Sequence, residues 1–173
     1  MHMPSVNGCY AVVRDNLDWN VAGLRCKSLC PNAHLLIINS AAEQEAIKSM
    51  MTPPASEVTL VDNALAGCAR YHPTQGCGEM FWTAGQRVDL AHKSSPFVWK
   101  KAPGSCYDSM SEMQYTYWHT NEPNNVGGYA WNMQPVFPYI PEKCVQLCRG
   151  WNYKWNDGVC EIPTCSICEV DIY

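Results

Sequence analysis

The sequence predicts a disulfide-rich α+β fold, and three observations support that prediction. The chain has 173 residues with eleven cysteines at irregular spacing, which is typical of a secreted disulfide framework. Its first third carries the start and stop signals of two helices. Most of the remainder consists of short aromatic or β-branched segments that favour strands.

The amino-terminal part predicts a strand followed by a helix. Residues 9–14 (CYAVVR) favour a short strand. Asp18 is a good N-cap for the helix that follows, because its carboxylate can accept from the free amides of the first turn. Pro31 ends this helix, since proline cannot donate the next backbone hydrogen bond.

A buried strand and a second helix come next. Residues 34–38 (HLLII) form a continuous apolar run that favours a buried strand. Ser40 and Glu43 match the capping box, so a helix is expected from there to about Met51. Residues 55–79 are ambiguous, and four apolar residues there have the spacing of a third, short helix: Val58, Val61, Leu65 and Cys68.

The carboxy-terminal part predicts strands around a long irregular region. Strand-like segments occur at 81–85, 96–99, 144–147, 155–157 and 167–172. Residues 102–143 are rich in Pro, Gly, Asn, Ser and Tyr, and so long a loop in a compact domain is usually functional. We therefore predict a single domain over residues 4–173, with residues 1–3 interpreted as a remnant of cloning.

Composition and charge exclude several classes of function. The net charge of −4, with both signs interspersed, provides no basic stripe for nucleic acid. No apolar run approaches the roughly 20 residues that span a bilayer, so we expect no membrane insertion. No secretion signal precedes the chain, which we interpret as mature or trimmed. The high cysteine content predicts a secreted, extracellular protein.

Disulfides are favoured over zinc. Only Cys165 and Cys168 have the CxxC spacing of a zinc site, and no second such pair completes four ligands. Because the cysteine count is odd, at least one thiol is free or joins a second chain, which would give a homodimer.

Oxygen-bearing side chains gather in the irregular half of the sequence. They comprise three carboxylates and two carboxamides, namely Glu122, Asn124, Glu142, Asn156 and Asp157. Such a set suits Ca²⁺, which takes about six to eight oxygen ligands in irregular geometry. Zinc and copper would prefer His or Cys. Taken singly, each segment is also an ordinary turn or loop signal.

A series of motifs runs in order from Cys9 to Val170. They are Trp19-x2-Ala22-x3-Cys26, FWTAG at 81–85, FVW at 97–99, YW at 117–118, EPNN at 122–125, Glu142-x-Cys144-Val145, WND at 155–157 with Cys160, and ICE at 167–169. In this order the motifs resemble those of the C-type lectin-like domain. The resemblance implies two main helices that flank small antiparallel sheets, with a long calcium-binding loop region.

The resemblance also implies two disulfides, Cys26 with Cys168 and Cys144 with Cys160. The second bridge would bring Glu142 and the WND segment to the same end of a hairpin. A third bridge between Cys68 and Cys77 is expected because it would close a short local loop. The pairing of the other five cysteines stays open: Cys9, Cys30, Cys106, Cys148 and Cys165.

One calcium ion is implied at the five oxygen-bearing residues, with a cis Glu122–Pro123 bond. Two neighbouring sugar hydroxyls would complete its coordination and contact the same side chains. The EPN order goes with mannose-type sugars, namely mannose, glucose, N-acetylglucosamine and fucose. The long insertion after Asn125 carries Tyr129, Trp131, Phe137 and Tyr139, which would stack on a sugar, bias the site toward galactose, or pack as a small core.

Three functions compete. Calcium-dependent glycan binding without turnover is favoured because the five-residue set is intact. The alternative is a protein of the same fold that binds a protein, ice or mineral surface, with calcium structural or unused. An enzyme with Glu122 and Glu142 as paired glycosidase carboxylates is disfavoured, because calcium would occupy both and no nucleophile, base and orienting group is evident.

Overall fold

Two helices and a nine-stranded sheet form the part of the chain that the computed structural model describes, namely residues 2–3, 8–52, 65, 67–68, 76–101, 110–125 and 140–172. The helices are α1 (Trp19–Leu29) and α2 (Ala41–Met51). The strands are β1 (His2–Met3), β2 (Gly8–Leu17), β3 (His34–Leu35), β4 (Met80–Arg87), β5 (Phe97–Lys100), β6 (Met110–Glu112), β7 (Cys144–Cys148), β8 (Lys154–Gly158) and β9 (Thr164–Asp171). Within these ranges no helix is long and apolar enough to cross a membrane.

The sheet joins two antiparallel groups through one parallel pair. In the first group β9 pairs with β2 and β3, and β1 extends the sheet beyond β2. In the second group β4 pairs with β5 and β7, which are followed by β6 and β8. Strands β4 and β9 run parallel, with Phe81 opposite Cys165. The expected small antiparallel sheets are therefore the two halves of one mixed sheet.

Both helices begin at the predicted caps. Asp18 accepts a hydrogen bond from the amide three residues later at 2.9 Å, and Ser40 accepts from the Glu43 amide at 3.2 Å. The Glu43 carboxylate accepts from the Asn39 amide at 2.8 Å, one residue before the position that a capping box uses. Its other oxygen accepts from the Tyr10 hydroxyl at 2.7 Å, which ties α2 to β2.

The core is built around large aromatic side chains. Four fully buried tryptophans belong to it: Trp19, Trp82, Trp99 and Trp155. The indole of Trp19 donates to the Thr83 carbonyl at 2.7 Å, and that of Trp155 donates to Gln44 on α2 at 2.8 Å. These bonds satisfy the polar edges of the Trp19 and Trp155 rings, so that burial of their apolar remainder stabilises the fold. The second bond also fixes β8 against α2.

Four disulfides tie the described residues together. The bridges Cys26–Cys168 and Cys144–Cys160 are present. The expected Cys68–Cys77 bridge is wrong, because Cys68 bonds to Cys165 and Cys77 bonds to Cys148. The register of β4 and β7 places Met80 opposite Cys148, which brings the nearby Cys77 to the end of β7. Short separation in sequence was thus a poor guide, since strand pairing joins distant segments.

Several other expectations differ from the structure or lie outside its described residues. Strand β3 covers only 34–35, although the Leu36 amide still donates to the Ile167 carbonyl at 2.8 Å. A short strand, β6, occurs inside the long irregular region. Val58 and Val61 of the expected third helix lie outside the described residues, and so do Cys106 and the aromatic residues of 126–139. Among the described cysteines, Cys9 and Cys30 form no disulfide.

Candidate functional site

The hairpin formed by β7 and β8 positions the WND segment. Its register places Gln146 opposite Asn156 and Val145 opposite Asp157. The Cys144–Cys160 disulfide closes the hairpin across a sequence separation of 16, and a bridge of that span stabilises by about 3 kcal/mol. Glu142 lies two residues before β7, so the hairpin brings its backbone to the same end as Asp157.

The EPN loop is held against the edge of β8. The His119 amide donates to the Trp155 carbonyl at 2.9 Å, and the Trp155 amide donates to Tyr117 at 2.9 Å. A turn follows, in which the Glu122 amide donates to the His119 carbonyl at 3.0 Å. The Glu122–Pro123 bond is cis. These contacts bring the loop beside Asp157.

Asp157 is the centre of the site. Its side chain is fully buried. One oxygen accepts from the Asn124 amide at 3.0 Å, and the other accepts from the Asn125 amide at 2.9 Å. The guanidinium of Arg87 donates to the second oxygen at 3.1 Å. Three donors therefore hold the carboxylate in place and leave it about one further in-plane lone pair for a ligand.

Arg87 is the residue of the site that the sequence analysis missed. Its side chain is only 6% exposed. It donates to the Glu142 carbonyl at 3.1 Å and to the Ser95 carbonyl at 3.0 Å, besides Asp157, and it lies 4.4 Å from the centre of the Phe97 ring. One side chain thus links β4, the segment before β7 and the WND aspartate. No sequence motif predicts this role. Arg87 is simply the last residue of an otherwise uncharged strand.

Glu122 and Asp157 face each other across the loop. The pKa of Glu122 is raised to about 7, mainly by burial and next by the neighbouring Asp157 carboxylate. The Glu122 carboxylate accepts from the backbone amide of Asn124 at 3.1 Å and from its side-chain amide at 2.9 Å. A cation bound here would favour the ionised form of Glu122, so the pair suits a metal ion.

The remaining oxygens also suit a hard cation. The Asn125 side-chain oxygen is buried and accepts no hydrogen bond within the described residues, and a buried acceptor of this kind is costly unless a ligand satisfies it. The Asn156 amide donates to the Asp157 carbonyl at 2.6 Å, which leaves its oxygen as an acceptor. Carboxylate and carboxamide oxygens together match calcium better than zinc or copper.

The predicted site residues are therefore brought together unequally. Glu122, Asn124 and Asp157 contact one another directly, and Asn156 adjoins Asp157. Glu142 is connected through its backbone carbonyl and Arg87. The predicted sugar-contacting residues Tyr129 and Trp131 lie outside the described residues.

Comparison with known proteins gives one partial sequence match. No protein-family model matches the chain. A stretch of 64 residues is 34% identical to perlucin from Haliotis laevigata, and it covers 36% of this chain and 34% of perlucin. The match thus spans about a third of that relative's length.

Solved structures identify the fold. Human lithostathine superimposes with a TM-score of 0.62 at 17% identity over 98% of this chain and 91% of that one. The carbohydrate-recognition domain of cow CD23, determined in the presence of a GlcNAc2Man3 oligosaccharide, gives 0.60 at 18% identity over 99% and 98%. A calcium-independent type II antifreeze protein gives 0.58 at 17% identity over 100% and 91%. The chain has the C-type lectin-like fold.

Proposed function

We propose that this chain is a calcium-dependent lectin of the C-type lectin-like family, with one domain over residues 4–173, that binds mannose-type sugars without turnover. The observation that carries the proposal is the convergence of Glu122, Asn124 and Asp157 beside the unsatisfied oxygen of Asn125. Acids and amides gathered at a half-exposed loop match the chemistry that a calcium ion and a sugar require.

The proposed ligands of the single calcium ion are the five oxygen-bearing residues: Glu122, Asn124, Glu142, Asn156 and Asp157. When bound, calcium would coordinate two neighbouring hydroxyls of the sugar. The protein supplies the rest of the recognition: the glutamates accept hydrogen bonds from the hydroxyls, and the asparagine amides donate to them. In the structure Asn124 and Glu122 form such a donor and acceptor pair at 2.9 Å.

Affinity for one sugar is expected to be weak. A few hydroxyl contacts offer little buried area to offset the freedom that the sugar loses. Useful binding would come from several sites acting together on a multivalent glycan. A homodimer through an unpaired cysteine would provide two sites, and Cys9 and Cys30 are the described cysteines outside disulfides.

An extracellular location is part of the proposal. Four disulfides in the described residues suit an oxidising compartment. The solved structure of cow CD23 with an oligosaccharide supports glycans as partners of proteins with this fold.

A second candidate function is recognition of a non-sugar surface without calcium. Its support is the contact between Arg87 and Asp157, because a buried guanidinium and two backbone amides satisfy this carboxylate without a metal ion. The similarity to a calcium-independent antifreeze protein is consistent with this alternative. The two candidates differ in whether calcium changes binding.

The test is retention of the purified protein on immobilised mannose and galactose, each with calcium and with excess chelator. We expect retention on mannose in calcium and elution by chelator. Glu122→Gln should abolish retention, whereas Glu112→Gln on exposed β6 should not. Retention on neither sugar in calcium would reject the lectin function and favour the second candidate. Preferential retention on galactose would reject the mannose-type assignment.

A further inference from the structure

A cavity of about 560 Å³ opens beside the candidate calcium site. On one side it is lined by Asn124 and Asn125, whose backbone amides bind Asp157. On the other side lie residues 90–93, in the turn region between β4 and β5, and the segment before β7 with Pro141 and Lys143. A ligand bound at Asn124 would therefore border this cavity.

The lining of this cavity is basic. Its described residues include Arg87, His92, Lys93 and Lys143 and no Asp or Glu. This reverses the balance of the whole chain, which has 16 acidic residues and 12 Lys and Arg residues. A local reversal of charge in a concave surface concentrates anions there.

Two of the four basic groups are already neutralised or occupied. Arg87 directs its guanidinium to Asp157 and to two backbone carbonyls. His92 bonds to Asp89 at 2.6 Å. Both side chains line the cavity and add to its electrostatic potential, but their N–H groups already bond to other groups of the protein.

The other two basic groups are available to a ligand. The side chains of Lys93 and Lys143 form no hydrogen bond or ion pair in the described part of the chain. The backbone of Lys143 is fixed, because its amide donates to Gly158 at 3.0 Å and its carbonyl accepts from the Arg87 amide at 2.9 Å. Two lysines from separate segments thus line one cavity.

We propose that this cavity is a subsite for a sulfate group carried by the bound glycan, so that the protein selects sulfated over neutral sugars. The inference rests on the proposed calcium-dependent sugar site, because it requires a sugar held at Asn124. Lys93 and Lys143 bind the sulfate oxygens by charge-assisted hydrogen bonds. The adjoining calcium site binds the hydroxyls of the same ligand.

The test compares three soluble ligands by calorimetry in calcium: N-acetylglucosamine, N-acetylglucosamine 6-sulfate and inorganic sulfate. We expect the sulfated sugar to bind about tenfold more tightly than the neutral one, since exposed charge contacts are individually modest. A double variant, Lys93→Gln with Lys143→Gln, should lose this preference and keep its affinity for the neutral sugar. The control is Lys27→Gln with Lys48→Gln, on α1 and α2, which also removes two positive charges. It should keep the preference for the sulfated sugar.

The outcomes separate this proposal from the lectin proposal. Equal affinities for both sugars, or a preference that survives the double variant, would overturn the sulfate subsite alone. Inorganic sulfate that binds as tightly as the sulfated sugar would reveal an anion site unconnected to sugar recognition and would also overturn it. A protein that binds neither sugar in calcium would reject both proposals. If only the sulfated sugar binds, and needs both lysines, the subsite stands and the neutral-sugar proposal fails.

Discussion

Two groups of buried or half-buried carboxylates among the described residues have different surroundings. The helix cluster consists of Glu43 and Glu169 with Tyr10, where α2 meets β2 and β9. The loop cluster consists of Glu122 and Asp157 with their asparagine neighbours. In the helix cluster protein donors reach both acids: the Tyr10 hydroxyl donates to Glu43, and the Ile37 amide donates to Glu169 at 2.9 Å.

Burial perturbs both clusters in the same direction. It raises the pKa of Glu169 to about 8 and the pKa of Glu122 to about 7. The two clusters differ in how far their acids are exposed to solvent. Glu169 is 5% exposed, whereas Glu122 is half-buried and adjoins the exposed Asn124. We therefore place the proposed binding site at the half-exposed loop, where the acids adjoin an unsatisfied amide oxygen, and not at the buried helix cluster.

The largest effect is expected from Asp157→Asn in the loop cluster. Removing the carboxylate charge leaves the Arg87 guanidinium buried without a counter-charge, and breaking a buried ion pair costs about 3–5 kcal/mol. The measurement is the free energy of unfolding in denaturant. Asp15→Asn is the control, because its ion pair with Arg25 is exposed and contributes at most about 1 kcal/mol. Similar losses of unfolding free energy in the two variants would show that the buried ion pair contributes no more to stability than the exposed one.

A smaller loss is expected from Glu43→Ala in the helix cluster. The variant leaves the Tyr10 hydroxyl and the Asn39 amide without their acceptor, at about 1–3 kcal/mol for each donor that stays buried. Glu45→Ala, on the same helix and paired only with Lys48 at the surface, should change stability by less than about 1 kcal/mol. Retention on mannose should be unchanged in both variants. A loss of sugar binding in Glu43→Ala would contradict the claim that only the loop cluster takes part in binding.

The helix cluster also predicts a pH dependence. The pKa of Glu169 rises from 4.5 to about 8 on folding, so the folded state binds more protons between these values and stability falls as pH rises through this window. The charged groups around it are Glu43, Asp171 and Lys101. Thermal unfolding between pH 4 and 9 should show this fall, and Glu169→Gln should flatten it. If the stability of the variant falls equally steeply with pH, a group other than Glu169 causes the pH dependence.

The smallest change in stability is expected from Glu122→Gln, despite the largest effect on binding. Within the described residues its carboxylate accepts hydrogen bonds from the backbone and side-chain amides of Asn124, and the amide oxygen of Gln can accept them too. Stability without calcium should stay within about 1 kcal/mol of the parent, while retention on mannose is lost. Denaturant unfolding in chelator checks the first expectation. A large loss of stability would make Glu122 a structural residue.

The parts of the fold that follow local rules were predictable from sequence. Asp18 and Ser40 begin the helices because capping depends on residues a few positions apart. The Cys26–Cys168 and Cys144–Cys160 disulfides and the cis Glu122–Pro123 bond do not follow from local rules; they were implied by the resemblance to the C-type lectin-like domain.

What could not be predicted depends on strand pairing between distant segments. The parallel pairing of β4 with β9 and the bridges of Cys68 and Cys77 are of this kind. In the site, the pairing of β4 with β7 puts Arg87 at the end of β4 beside β7, where it reaches Asp157 across 70 residues of sequence. A lone arginine in a strand carries no signal of such a contact.

The most direct test of the central claim, that the loop cluster binds calcium, is thermal unfolding with calcium and with chelator. At about 100 times the dissociation constant, calcium should raise the Tm by about 5–10 °C. The rise should disappear in Glu122→Gln and persist in Glu169→Gln, because only the first changes the loop cluster. No rise in the parent protein, or a rise that survives in Glu122→Gln, would contradict the account.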